Sequence, residues 1–312
     1  MSRIDSLMTA PGPWVADAGL ETAMIFHDGF DLPHFASFPL LDSEPGRAAL
    51  TRWFDGFADL ARGHGTGLVL DTVTWRANMG WAAAMGMTET DICAANRQAA
   101  AFAAAFRARI ETPGMPVVVN GIVGPAGDGY RIDTMLTAAA AEAIHLPQID
   151  ALAKAGIDMV TAMTMTYPAE AIGVARAAAR CGMPHVLSFT VETDGRLVTG
   201  QDLQDALAEV EAETGGSALF YMVNCAHPTH FNAALRGPMR TRIGGIRANA
   251  SRQSHAELDE ATTLDDGDPD EFGALYAGFR DLLPNLRIIG GCCGSDHRHV
   301  AAACNHLHPT GT

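Results

Sequence analysis

Short apolar runs recur along the chain, separated by longer stretches in which apolar residues return every three or four positions. Eight such runs cover 14–17, 67–72, 116–120, 158–162, 185–190, 218–224, 243–247 and 286–290. Most are near-continuous, as in Val117-Val118-Val119 and Leu219-Phe220-Tyr221-Met222-Val223. They lack the in-out alternation of a half-exposed strand. A strand covered on both faces has no polar side, so the pattern predicts buried parallel strands. The run at 243–247, with its Gly244-Gly245, is the weakest of the eight.

The spacing predicts helices between these runs. Arg47 to Ala61 places Leu50, Trp53, Phe54, Phe57 and Leu60 on one face, with Ser43 and Pro45 suited to its start and Gly63 to its end. Pro168 opens another, whose apolar side holds Ile172, Ala175 and Ala179 and which Gly182 stops. Leu203, Leu207 and Val210 stripe a third. Eight strand–helix units within 312 residues predict an α/β chain folded as a (β/α)8 TIM barrel, one domain over 1–312. In that architecture, chemistry sits at the C-terminal ends of the strands.

Composition narrows the partners. A hydrophobic fraction of 48% provides for a large core and argues against disorder. The formal net charge is −15, which repels nucleic acid and anionic membranes and favours a small molecule or another protein as partner. Met1 to Trp14 lacks the apolar core of a signal peptide, and no run reaches the ~18 apolar residues of a membrane span. A cytoplasmic protein is therefore expected, with its oligomeric state open and a homo-oligomer allowed. Glu257 to Glu271 carries eight carboxylates. It reads as a solvated loop after the seventh strand, or as a lid over the barrel mouth.

The cysteines carry the candidate chemistry. Cys225 ends the sixth run, in Asn224-Cys225, and Cys292-Cys293 end the eighth, in Gly290-Gly291-Cys292-Cys293-Gly294. Both strands point into the same mouth, so three thiolates can converge there. Zinc favours such a sulfur set, and a three-ligand site leaves a fourth position for substrate. Two plainer readings stay open: a strained Cys292–Cys293 disulfide, or buried small residues. Cys93, Cys181 and Cys304 read as packing residues. His227, His230, His297 and His299 lie near the cysteines but are expected in the following helices rather than on a metal.

At these cysteines the sequence resembles the zinc-dependent homocysteine S-methyltransferase family, which includes the betaine and S-methylmethionine types. Asn224-Cys225 and Gly290-Gly291-Cys292-Cys293-Gly294 are similar to its two metal motifs. Asp17-Ala18-Gly19, Thr72-Val73-Thr74 and Ser188-Phe189-Thr190 resemble its first, second and fifth strand ends. The resemblance implies Zn(2+) on Cys225, Cys292 and Cys293. It implies a thiol acceptor, homocysteine or a relative, bound as a thiolate, and a sulfonium or quaternary ammonium methyl donor. By the same resemblance Asp17 pairs with the acceptor's ammonium group and Asn224 braces the mouth, with Thr72 also in the substrate site.

Two places depart from the family pattern. Met163 stands where the family carries a glutamate for the homocysteine ammonium, and Arg247-Ala248-Asn249 replaces an aromatic-proline-asparagine segment. The mouth is thus expected to lose one negative charge and gain a positive one. Arg247 suits a carboxylate, so an acceptor or donor other than the usual one fits. Otherwise Glu21 or Asp71 replaces the missing glutamate and homocysteine still binds. Two further functions remain. One is a zinc barrel enzyme that demethylates or hydrolyses another small molecule, using Asp17, Glu21 or Asp71 as bases. The other is a Cys-Cys redox sensor.

Overall fold

A computed structural model describes residues 2–308, so the expected 1–312 domain runs past the described residues at both ends. Its strands are β1 (Trp14–Val15), β2 (Leu68–Asp71), β3 (Val117–Val123), β4 (Met159–Met165), β5 (His185–Phe189), β6 (Tyr221–Asn224), β7 (Ile243–Ala248) and β8 (Ile288–Gly291). They pair in chain order, all parallel, and β8 returns to β1 to close the barrel. Every one lies on an apolar run singled out in the sequence, including the weak seventh.

The helices follow the same physics. Glu44–Gly63 is capped by Ser43, whose hydroxyl accepts from the Gly46 N–H, with Pro45 in its first turn. Its apolar face buries Leu50, Trp53, Phe54 and Phe57 against the barrel. Pro168–Arg180 and Leu203–Thr214 occupy the expected places, and Leu203, Leu207 and Val210 are fully buried.

Alternation along the strands splits the core in two. Leu68, Leu70, Val117 and Val119 join the layer between barrel and helices. Val69, Val118, Met159, Val186, Met222 and Ile288 fill the barrel interior instead. Leu7 of the N-terminal helix Arg3–Thr9 joins that interior group and is fully buried. With the interior packed in this way, room for a ligand lies at the opposite end, where the strands finish. Among the described residues no helix is long and apolar enough to cross a membrane.

Two strands run further than their apolar content foretells. β3 continues through Gly121 to Val123, and β4 continues through Thr164 to Met165 with an irregular register against β5 between Ala162 and Met165. Thr164 has a left-handed backbone there, φ 68°. Within that irregularity the Thr164 N–H and hydroxyl both bond Asn224 at the end of β6.

Candidate active site

A cavity of about 510 Å³ opens at the C-terminal ends of the strands. Its floor is made by strand-end residues: Asp17, Asp71, Thr72, Met163, Cys225, Arg247, Cys292 and Cys293. Glu21, from the helix Leu20–Phe26, joins them. Part of the acidic segment forms the outer wall, where Leu258, Asp259, Ala261, Thr263, Leu264 and Asp265 line the opening. That segment is partly helical (His255–Asp259, and Pro269–Ala277 at its end), with most of its carboxylates facing solvent. It is both a wet surface and a wall of the mouth.

The three cysteines converge. Their Sγ atoms all lie within 4.8 Å of one another, and Cys225 and Cys293 are 3.6 Å apart. All the described cysteines are free thiols, and the 3.6 Å contact joins the ends of β6 and β8. The histidines fall as expected. His227 caps the short helix Pro228–Phe231, which contains His230, while His297 and His299 lie in His297–Leu307. Cys304 packs in the core, and Cys93 and Cys181 are half-buried away from the site.

Backbone geometry holds the thiols in place. Cys225 has φ 57° and Gly294 has φ 76°, both left-handed. Such a conformation persists at a non-glycine residue only when its surroundings enforce it. The Cys225 N–H donates to Arg247 O at 3.0 Å. Its carbonyl accepts from His255 Nε2 at 2.6 Å and Thr190 Oγ1 at 3.2 Å. The Cys292 N–H donates to Ala248 O at 2.8 Å. Hydrogen bonds from Cys225 and Cys293, aided by the Arg247 charge, pull the Cys292 thiol well below its ordinary range. Hydrogen bonding to Cys292 pushes Cys225 well above its own.

Asn224 sits beneath the cluster with no exposed surface. Its Oδ1 accepts from the Thr164 N–H at 3.0 Å and from Ser188 Oγ at 2.6 Å. Its Nδ2 donates to Thr164 Oγ1 at 2.8 Å and points at Cys292 Sγ, 3.9 Å away. One amide therefore ties the ends of β4, β5, β6 and β8. Asn224→Ala leaves two buried donors, the Thr164 N–H and the Ser188 hydroxyl, without their acceptor. We expect a loss of about 2–4 kcal/mol, read as a lower urea midpoint at unchanged m-value. Stability equal to the parent would show that the network contributes nothing.

Arg247 and Asp17 occupy the site in an unexpected way. Read from the sequence, one meets a substrate carboxylate and the other a substrate ammonium. In the structure they meet each other: the Arg247 guanidinium bridges Asp17 and Asp71, and its Nε donates to Gly291 O at 3.0 Å. Trp53 Nε1 donates to Asp17 at 3.1 Å, and Asn120 Nδ2 to Asp71 at 2.8 Å. A buried guanidinium has to be compensated, and two strand-end carboxylates do so from within the protein. The added positive charge at the mouth is thus already neutralised. Thr72 lines the cavity while its hydroxyl ties β2 to β3, accepting from the Ile122 N–H at 3.1 Å. Asn249 is buried outside the cavity lining; its N–H donates to Ala226 O and its Oδ1 has no partner.

Tyr130 escapes the sequence reading altogether. It comes from the loop after β3, stacks on His255 with ring centroids 4.1 Å apart, and brings its hydroxyl to 3.0 Å from Cys225 Sγ and 3.4 Å from Cys293 Sγ. Burial raises its pKa well above the ordinary tyrosine value, so it faces the thiols as a neutral hydroxyl. Its only signal in the sequence is Gly127-Asp128-Gly129-Tyr130, a turn-rich stretch that names no chemistry.

A family model described as homocysteine S-methyltransferase matches residues 17–307. The chain belongs to the homocysteine S-methyltransferase family. A curated relative, the homocysteine S-methyltransferase of Escherichia coli (strain K12), is 27% identical over 198 residues, 60% of this chain. The match spans 61% of that relative's length. The oxidized form of the homocysteine methyltransferase MmuM from Escherichia coli superposes with a TM-score of 0.76 at 21% identity, over 97% of this chain and 99% of that one. Its metallated form gives 0.75 at 20% identity, over 96% and 98%. At such identities these solved structures establish the shared barrel fold of this family member.

Proposed function

We propose that this protein transfers a methyl group from a sulfonium or quaternary ammonium donor to the sulfur of a small thiol, homocysteine or a relative. The transfer would take place at a zinc ion held by Cys225, Cys292 and Cys293. Residues 1–312 would act as one domain. The observation that carries the reading is the convergence of three thiols on the floor of one cavity. Zinc with sulfur ligands at ~2.3 Å in a tetrahedron sets those sulfurs ~3.8 Å apart. The spacing here, all within 4.8 Å with one pair at 3.6 Å, fits that set. When bound, zinc would favour the deprotonated form of an acceptor thiol near neutral pH.

The chain's own residues supply position and shielding. Asn224 and the left-handed Cys225 backbone hold the thiols in one arrangement. Tyr130 and His255 cover the cluster from the side of the cavity, limiting water. The E. coli relatives named as homocysteine methyltransferases support the acceptor class, and the metallated form of one supports a metal. Free thiols suit a reducing, cytoplasmic setting. The hydrolytic alternative needs Asp17, Glu21 or Asp71 as a base; Asp17 and Asp71 already bond Arg247, which leaves only Glu21 for that role. Methyl transfer is better supported because the family match and the three converging thiols both favour a thiol acceptor.

Of the carboxylates on the cavity floor, Glu21 is the one not bonded to Arg247 and so left to meet an ammonium group, taking the place that Met163 vacates. It lines the cavity and accepts from Ser37 Oγ at 2.7 Å. Burial raises its pKa to about 7. It becomes anionic as pH rises through that value, so KM for an amine-bearing thiol should fall between pH 6 and pH 8. Glu21→Gln should flatten that dependence and raise KM about tenfold at pH 8. KM-against-pH curves for homocysteine and an amine-free thiol check this; parallel curves for the two would exclude the role. The function itself is tested with zinc-loaded protein, a panel of thiols and isotopically labelled methyl donors. Label in a thioether product supports it, and transfer that survives complete chelation of the metal overturns it.

A further inference from the structure

We infer that Arg76 is the anion-binding group of this cavity and selects a substrate that carries a carboxylate. The inference rests on reading the cavity as the methyl-transfer site, and adds the charge class of a substrate to it.

Two arginines line the cavity, Arg76 and Arg247. Arg247 is neutralised by Asp17 and Asp71. Arg76 is just as buried, 6% exposed, but among the described residues no carboxylate forms an ion pair with it. Its Nε donates to His34 O at 3.2 Å and its Nη1 to Gly127 O at 3.0 Å. Those carbonyls fix the group without cancelling its charge, and they leave Nη2 free to donate.

The guanidinium is also held from its faces. It lies 4.0 Å from the Trp75 ring centroid and 3.8 Å from that of Trp81. Stacking of this kind orients the planar fork and strips water from it. Burial lowers the Arg76 pKa to about 10, which leaves it charged at neutral pH. The carboxylates Asp128 and Glu21 act on it without bonding to it, so this desolvated cation is still costly to bury, and an arriving anion would lower that cost. Arg76 also occupies ring faces of Trp75 and Trp81 that would otherwise be open to a cationic methyl donor. The cationic end of a donor must then lie elsewhere, with a carboxylate end on Arg76.

The placement suits one small molecule. Arg76 bonds Gly127, and Tyr130 of the same loop touches Cys225 and Cys293. The anion group and the thiol cluster therefore sit at two ends of one short loop. The charge required is a single one. Glu21, Asp128, Asp259 and Asp265 line the same cavity and would repel a doubly charged phosphate. A carboxylate matches the fork with one charge.

The carboxylate can belong to the acceptor or to the donor, and binding can tell them apart. Zinc-loaded protein is titrated calorimetrically with two matched pairs. The thiol pair is 3-mercaptopropionate and 3-mercaptopropanol; the sulfonium pair is dimethylsulfoniopropionate and its 3-hydroxypropyl counterpart. In at least one pair the carboxylate should bind about ten- to a hundredfold tighter, and that pair identifies the source. Arg76→Gln should erase the gap while leaving zinc content and the affinity of the hydroxyl compound unchanged. Arg76→Lys, which keeps charge but loses the fork, should narrow the gap severalfold, and it decides the matter if the glutamine variant does not fold. Equal affinities within both pairs in the parent protein would overturn the inference. So would a gap that persists in the variants, or equal weakening of both partners, which would mark Arg76 as a strut for the loop. Carboxylate-selective binding without methyl transfer to any thiol would leave Arg76 in this role and remove the methyltransferase reading instead.

Discussion

Cys293→Ala is expected to strip the protein of zinc and lower methyl transfer at least about a thousandfold, or ~4 kcal/mol of barrier. The three sulfurs follow β6 and β8, and among the described residues no further cysteine, histidine or carboxylate joins them. The only three-member group of metal-binding side chains among the described residues is Cys225, Cys292 and Cys293. Neither His227 nor His299 belongs to that group: His227 bonds Thr229 through Nδ1, and His299 bonds Asp296 through Nδ1 and Asp266 O through Nε2. Two thiolates and water bind zinc far more weakly than three thiolates do. The barrel itself should survive. Its core lies in the interior group around Val118 and Met159 and in the helix layer, away from the thiols. This differs from small zinc domains that unfold without metal. Metal content after gel filtration, circular dichroism and a transfer assay check the three parts. Retention of about one zinc per chain by the variant would sink the assignment.

Much of the architecture is legible in the sequence because buried parallel strands leave a crude signal. Val117-Val118-Val119 has no polar alternative, and the eight such runs fix the barrel. The cysteine positions are legible for the same reason, since residues that directly follow a buried run must emerge at the mouth. The pairing of charges is not legible. Arg247 meets Asp17 and Asp71 across separations of 230 and 176 residues, and only closure of β8 onto β1 brings them together. Arg247 therefore looks like a gain of charge at the mouth when it is the central ion of a neutralising cluster. Tyr130 and Arg76 are hidden differently. Both act from loops after strands, where no periodicity constrains direction. Their roles depend on the turn at 124–130 folding back over Trp75, with the Gly124 N–H bonded to Trp75 O at 3.0 Å.

Replacing Arg247 by methionine should destabilise the protein by about 3–5 kcal/mol, because it abandons two buried carboxylates to each other. For a chain of this size that corresponds to a fall in Tm of about 5–8 °C. Both partners are nearly inaccessible, with side-chain exposures of 6% for Asp17 and 7% for Asp71, so solvent cannot stand in for the lost guanidinium. The loss should depend on pH. Burial already raises the Asp71 pKa to about 7, with Arg247 opposing that rise and Asp17 adding to it. Without Arg247 the folded-state value climbs further above the unfolded one. A carboxyl whose folded pKa is raised stabilises the fold below its unfolded pKa, and that contribution is lost as pH rises through the folded value. The variant should therefore lie closest to the parent near pH 5 and furthest from it near pH 8. Adding Asp71→Asn removes one of the two charges and should recover part of the deficit at pH 8, with little effect at pH 5. Urea unfolding of the three proteins at both pH values measures this. A deficit of the same size at pH 5 and pH 8 would mean that lost packing, rather than unpaired charge, is what Arg247 prevents.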